Sequence, residues 1–366
     1  MFERRQFGIG LFALFLLSGL GRAIIRQVNV PHQAQYTEPV ENFDDIDVRP
    51  APAVRVKRWL GAPPRLDEER PQVLVSLCAR WDVCVEEAGF VSALHDRYAN
   101  RSEVFAVSDE PEDKLHELDA RLAKAGMSRT FPLAIDRGED EGVLDDLATA
   151  YGHDFILLPY AWVIHRGQVV WHGDPEDVQG TLDEVLATGD ALKSRTAKRD
   201  IQQLVADYRK ANDDDEVDDL TPQADALRAA LIGRAGQALR VAMDLRDVDD
   251  DGEFVLELAK LANEGTAARC PATLDGYGLA QWDSGDSEGA IKTQKEVLRL
   301  CDALNIECKE GREHWQDYLR LKAEAEAEAS DGGSDAAVVG TLDAGTADTG
   351  AAGTGATPDS TTADGP

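Results

Sequence analysis

The pattern of apolar and polar positions predicts an α/β region between residues 72 and 190. Short, β-branched apolar runs predict strands at 73–78, 104–107, 131–136, 161–164 and 169–172. Apolar residues at helical spacing predict helices at 86–98, 114–125 and 143–151 and another beginning at 182. The resulting order, β-α-β-α-β-α-β-β-α, is typical of a three-layer arrangement around a mixed sheet.

A second region, from residue 195 onward, is predicted to be entirely helical because its apolar period is 3.6 and strand patterns disappear. The best-defined helix pair covers 273–284 and 287–301, joined by a Gly-Asp turn. Gly278 and Ala290 stand at spacings that resemble a tetratricopeptide repeat, although several consensus positions differ. The alternative is a plain helical bundle. Stacks of such repeats bind peptides or proteins, so we expect a protein partner of unknown identity here.

The two ends of the chain have compositions unlike the middle. A basic flank precedes an uncharged apolar stretch at 7–20, which predicts a signal peptide or membrane anchor over residues 1–26. Residues 27–53 are predicted to be a linker, and the acidic Gly/Ala/Thr tail at 330–366 is predicted to be disordered. We therefore expect an extracytoplasmic, periplasmic protein that is either secreted or held at the membrane through its N-terminal segment.

The net charge excludes two classes of partner. The chain has 69 acidic and 38 basic residues, a formal net charge of −31. Nucleic-acid binding needs clustered Lys and Arg, and so does adsorption to anionic lipid headgroups. We expect neither nucleic acid nor an anionic lipid surface as a partner.

Residues 73–87, VLVSLCARWDVCVEE, resemble the strand-to-helix turn of thioredoxin-like proteins of the TlpA and redoxin type, whose pattern reads VLVNFWATWCxxCREE. Further matches follow in the family's order at Phe131-Pro132, Tyr151-Gly152, Pro159 and Gly167. The resemblance implies a thioredoxin-like domain over residues 54–192, followed by the helical, tetratricopeptide-like domain over 193–329. It also implies that Pro159 occupies the position of the family's cis-proline.

The active-site motif departs from the family by one replacement and by one residue missing before Cys84. The attacking thiol of the family follows the Trp directly, where the helix N-terminus lowers its pKa. Here Asp82 follows Trp81, and Cys84 matches the second, less exposed cysteine of the motif. Because a carboxylate cannot carry out thiol–disulfide exchange, the usual reactive dithiol is missing.

Three interpretations of Cys84 remain open. It is a redox thiol, alone or with Cys78 as its partner, or a peroxidatic cysteine, or a residue without catalytic function. The peroxidatic interpretation is poor, because Leu77 and Trp81 replace the Pro and Thr of that family's motif. We favour a non-catalytic or weakly redox-active interaction module; the alternative is a divergent thiol–disulfide oxidoreductase that uses Cys84 with Cys78.

The remaining chemistry of the sequence concerns cysteines and acidic loops. In an oxidising compartment Cys301 and Cys308 are candidates for a disulfide across a helix turn. Residues 247–252 match the first half of a calcium loop, but Leu258 stands where the closing Glu belongs, so we interpret them as an acidic interhelix loop. No motif indicates a bound metal or cofactor, and none is expected.

Overall fold

A computed structural model describes residues 48–138, 142–151, 158–213, 219–246 and 252–331, with side chains as far as 324. The predicted signal peptide or anchor, most of the linker, the acidic loop at 247–251 and the predicted disordered tail beyond 331 lie outside the described residues. Within the described ranges, every helix is too short or too polar to cross a bilayer.

Seven strands of the described chain form one mixed sheet in the order β1-β7-β6-β3-β4-β5-β2. Strands β3, β4 and β5 run parallel, whereas β1, β2, β6 and β7 pair antiparallel with their neighbours. The strands are β1 Arg49–Pro50, β2 Val56–Leu60, β3 Gln72–Ser76, β4 Glu103–Ser108, β5 Leu133–Asp136, β6 Tyr160–His165 and β7 Gln168–Gly173.

Helices cover the sheet and then continue as a separate all-helical region. The sheet is accompanied by α1 Asp82–Tyr98, α2 Glu112–Lys124, α3 Val143–Ala150, a 3-10 turn at Pro175–Asp177 and α4 Val178–Thr188. The helical region comprises α5 Leu192–Asn212, α6 Thr221–Leu231, α7 Ala235–Leu245, α8 Glu253–Gly265, α9 Pro271–Asp283, α10 Ser287–Leu304 and α11 Lys309–Asp331.

This topology is a thioredoxin-like α/β domain followed by a helical region. The parallel β3-α1-β4 unit and the antiparallel β6-β7 hairpin are adjacent in the sheet, because β3 pairs with both β4 and β6. Strand β1 lies inside the range that the sequence assigned to the linker, and it pairs with β7 through Arg49 and Val169. Strand β2, which the sequence indicated as a strand or hairpin, is a single strand paired with β5.

The two faces of the sheet bury separate cores because side chains alternate along each strand. Val73 and Val75 of β3 pack on the side of α1 and α2. Leu74, between them, packs on the opposite side with Phe105 and Trp162. The continuous apolar run of β3 therefore reflects a central strand that is covered on both faces.

The core on the α1 and α2 side does not end at the domain boundary. It continues into the helical region, where α10 contacts α2. The helical residues that belong to this shared core are Leu274, Val297, Leu300, Cys301, Leu304 and Ile306. The two domains are thus joined by buried apolar surface rather than by a linker alone.

The predicted helix pair at 273–301 is present as α9 and α10. Gly285 adopts φ +91° in the turn between them, a conformation that favours glycine. Asp286 then caps α10 by accepting a hydrogen bond from the N–H of Gly289 at 2.9 Å. A Cβ added to Gly278 would lie 3.3 Å from Thr293, so the small residue lets the helices approach closely.

Candidate functional site

The turn between β3 and α1 is held by a buried carboxylate. Glu110, only 4% exposed, accepts hydrogen bonds from the backbone N–H groups of Ala79 and Arg80. It also pairs with the Arg80 guanidinium at 3.2 Å. A second backbone bond joins the N–H of Leu77 to the carbonyl of Val107 at 3.0 Å. These contacts fix the backbone at the position where the resemblance places the active site.

Cys78 and Cys84 meet in the interior at this turn. Their Sγ atoms are 2.8 Å apart, and neither residue is exposed to solvent. Burial raises the pKa of the Cys84 thiol far above its usual range, and its contact with Cys78 raises the pKa further. A catalytic cysteine needs a partly exposed, stabilised thiolate. The two sulfurs are thus close together and buried, and the pKa of the Cys84 thiol is raised.

Asp82, at the position where the resemblance places the family's nucleophile, contacts the helical region. Its Oδ2 atom accepts a hydrogen bond of 2.8 Å from the backbone N–H of Glu307, in the loop between α10 and α11. Its Oδ1 atom lies 3.4 Å from a guanidinium nitrogen of Arg121 on α2. The start of α1 is therefore a point of contact between the two domains.

Arg121 strengthens that contact by bonding to both domains. It donates to the carbonyl oxygen of Ala79 in the β3–α1 turn at 3.0 Å. It also donates to the carbonyl oxygens of Leu304 and Asn305, the latter at 3.0 Å. These carbonyls belong to the end of α10, where a cation is favoured by the helix dipole. One side chain thus joins the β3–α1 turn to the end of α10.

A disulfide closes the loop between α10 and α11, which contacts the β3–α1 turn. Cys301 and Cys308 are bonded, with their Cα atoms 6.0 Å apart, and the N–H of Ile306 donates to the carbonyl of Cys301 at 3.0 Å. Ile306, 5% exposed, belongs to the shared core, and Cys308 packs against it. The bridge constrains the loop that presents the Glu307 N–H to Asp82.

Pro159 lies beside the same turn. The Leu158–Pro159 peptide bond is cis. The next residue, Tyr160, pairs with Ser76 at the end of β3, and its carbonyl accepts a hydrogen bond from the Ser76 hydroxyl at 3.3 Å. Pro159 therefore lies at the same end of the sheet as the β3–α1 turn that carries Cys78.

Sequence reasoning missed one cluster, formed by Glu87 on α1, Glu176 in the 3-10 turn and Cys270 at the start of α9. Burial raises the pKa of Glu87 well above its usual range, and the neighbouring Glu176 raises it further. Burial likewise raises the pKa of Cys270. Glu87 could have been noticed, because it follows Cys84 by three residues and so falls on the buried stripe of α1.

A groove of about 740 Å³ lies between the sheet and helices α5 and α7. Tyr160 and His172 line it, joined by a hydrogen bond of 2.6 Å between the hydroxyl and Nδ1. Arg195 in its wall is paired with Asp190 at 2.9 Å. Ser194, also in its wall, donates a hydrogen bond of 2.6 Å from its hydroxyl to Glu184 Oε2.

Three solved structures resemble part of the chain. A thioredoxin-like protein in its oxidised form is 22% identical, with a TM-score of 0.30, over 38% of this chain and 96% of its own. A thiol-disulfide isomerase from Corynebacterium glutamicum is 15% identical, with a TM-score of 0.30, over 38% and 97%. A thioredoxin-like superfamily protein is 13% identical, with a TM-score of 0.30, over 39% and 99%. No protein-family model matches the chain, and no curated protein matches it.

Proposed function

We propose that this protein is a protein-interaction module whose thioredoxin-like domain serves as a scaffold rather than as an oxidoreductase. The observation that carries the proposal is the hydrogen bond from the Glu307 N–H to Asp82 at 2.8 Å. The position from which relatives attack a substrate disulfide holds a carboxylate here. That carboxylate is used to dock the chain's own helical region.

The buried thiols support the same conclusion. A substrate disulfide must reach a thiolate for exchange to begin. Cys78 and Cys84 are both 0% exposed, and burial raises the pKa of Cys84, so the thiolate is scarce at neutral pH. The loop at 304–308, which we call the covering loop, also lies against the turn through its contacts with Arg121.

The helical region is proposed to hold the partner, a protein or peptide, in the manner of tetratricopeptide-like helices. The closely packed pair α9 and α10 supports this assignment. We further propose that the protein works outside the cytoplasm. The Cys301–Cys308 disulfide supports that location, because such bonds persist in oxidising compartments.

The alternative is a thiol–disulfide oxidoreductase that uses Cys84 with Cys78, and the 2.8 Å separation of their sulfurs favours it. In that reaction the two thiols would form one disulfide and pass two electrons and two protons to a substrate disulfide. This chemistry would require the covering loop to move away so that one thiol becomes accessible.

Two measurements distinguish the functions. The purified protein should not accelerate insulin reduction by dithiothreitol, and Cys84 should alkylate at least 100-fold more slowly in the native state than in denaturant. Rapid alkylation of Cys84 near neutral pH, together with insulin reduction that disappears in Cys84→Ser, would establish the oxidoreductase and reject the scaffold.

A further inference from the structure

Two glutamates and a cysteine from separate parts of the chain meet in one cluster. Glu87, Glu176 and Cys270 each contribute a ligand atom, and these atoms all lie within 4.8 Å of one another. Glu87 is 6% exposed and Cys270 is 1% exposed, while Glu176 is partly buried. None of the three residues takes part in the contacts that carry the proposed function.

One oxygen of the cluster has no hydrogen-bond partner. Glu87 Oε2 is buried, and no donor among the described residues reaches it. Leaving a buried carboxylate oxygen unpaired is strongly unfavourable. Arg240, on the neighbouring α7, pairs with Asp174 and Asp177, each at 2.9 Å, so its charge is already shared between those two carboxylates. A bound cation or a proton would therefore stabilise the cluster.

The distances fit a transition metal. The Cys270 sulfur lies 3.5 Å from Glu176 Oε1. On a tetrahedral Zn²⁺ ion, a sulfur and an oxygen ligand stand about 3.5 Å apart, given the usual Zn–S and Zn–O bond lengths. We propose that Glu87, Glu176 and Cys270 bind one Zn²⁺ ion, with water as the fourth ligand. The thiolate selects zinc over calcium and magnesium, which prefer ligand sets made only of oxygen.

The backbone around the cluster is shaped by glycines. A Cβ at Gly236 would lie 2.7 Å from Glu176 Oε2, so a larger residue would push this carboxylate out of place. A Cβ at Gly89 on α1 would lie 3.2 Å from the carbonyl oxygen of Arg269. The absence of that side chain lets the segment that carries Cys270 approach the helix that carries Glu87.

The proposed metal would connect the two domains. Glu87 and Glu176 belong to the thioredoxin-like domain, whereas Cys270 is the N-cap residue of α9 in the helical region. A metal bound only in the assembled state stabilises that state by its binding free energy. Zinc would therefore hold the helical region against α1, the same helix whose first residue contacts Glu307.

Zinc titration of the full chain tests the proposal. After chelator treatment, and in excess Mg²⁺ to occupy surface carboxylates, the wild-type protein should bind one Zn²⁺ tightly. Glu87→Gln and Cys270→Ser should weaken binding at least 100-fold. Cys84→Ser removes a different buried thiol and should leave binding unchanged. If the wild-type protein binds no zinc, or if Cys84→Ser abolishes binding, the proposal is wrong.

A second measurement uses the wild-type protein and needs no substitution at the site. Co²⁺ added to the wild-type protein and to Cys84→Ser should give the same near-ultraviolet sulfur-to-cobalt charge-transfer band. Zn²⁺ should also slow alkylation of Cys270 at least tenfold in urea below the unfolding midpoint, with no change at Cys84. Without the cobalt band, or with Cys270 unprotected, the carboxyl pair shares a proton instead of a metal.

Discussion

The backbone N–H of Glu307 donates a hydrogen bond of 2.8 Å to the carboxylate of Asp82, although the two residues are 225 positions apart in the sequence. This bond joins the first residue of α1 to the loop between α10 and α11. Asp82 is also the residue that replaces the nucleophile of the family it resembles. Asp82 thus supplies a polar contact between the thioredoxin-like domain and the helical region.

Removal of the Asp82 carboxylate should weaken the docking. Asp82→Ala loses the bond to the Glu307 N–H and the ion pair with Arg121, and we expect a loss of about 1–2 kcal/mol in the free energy of unfolding. Urea unfolding would measure it. Asp113→Ala removes an exposed acid from the first turn of α2 and controls for the helix dipole. Equal losses in the two variants would show that the interdomain bond contributes nothing.

Replacement of Asp82 by cysteine should not restore an exchange site. Residues two apart on a helix do not face each other, so a thiol at 82 would point away from the Cys84 sulfur. We expect Asp82→Cys to alkylate at least tenfold faster than Cys84, because the Asp82 side chain is 43% exposed. Insulin reduction should remain at the uncatalysed rate. Catalysis at a rate comparable with thioredoxin would contradict this geometry.

The elements of the thioredoxin-like domain could be predicted from the sequence because they depend on local pattern. The continuous apolar run of β3 and the helical stripe of α1 each mark a buried element. The docking of Asp82 and the Glu87–Cys270 cluster could not be predicted in this way. Both depend on contacts between residues that are far apart in the chain, and hydrophobic periodicity does not report which helix packs against which turn.

Reduction of the Cys301–Cys308 disulfide should destabilise the covering loop. The bridge spans 7 positions, and loop-closure entropy for such a ring gives a stabilisation of about 2 kcal/mol. Cys301→Ser/Cys308→Ser should therefore lower the free energy of unfolding by about that amount. If the loop also loses its order, the Glu307 amide should exchange with deuterium faster than in the wild-type protein. Unchanged exchange and unchanged stability would mean that packing of Ile306 alone holds the loop.

Deprotonation of His314 on α11 should lower the free energy of unfolding as pH rises above neutrality. Its hydrogen bond with Asp275 raises its pKa, burial opposes this, and the charges of Glu310 and Arg246 act in opposite directions. A raised folded-state pKa gives stability that is complete below the unfolded pKa of about 6.5 and is lost as pH passes the folded value. Melting temperatures at pH 6 and pH 8.5 should differ less in His314→Gln than in the wild-type protein.

The exposed His116 provides the matched control for this pH effect, because its side chain is 63% exposed and pairs only with Glu112 at 3.5 Å among the described contacts. His116→Gln should keep the pH dependence of the wild-type protein. If His314→Gln also keeps the wild-type pH dependence, the bond between His314 and Asp275 does not contribute to the pH dependence of stability.

Replacement of either of two alanines before Cys270 by glycine should stabilise the protein. Ala267 and Ala268 both have φ of +54°, a left-handed conformation that costs a residue with a Cβ about 1 kcal/mol. Each Ala→Gly change should raise the free energy of unfolding by a few tenths of a kcal/mol, because relief of strain exceeds the added entropy of the unfolded chain. Ala259→Gly, in the interior of α8, should instead destabilise the protein by about 1 kcal/mol or more. Urea unfolding of the three variants would show whether the loop that positions Cys270 holds this strain, and destabilisation in all three would show that it does not.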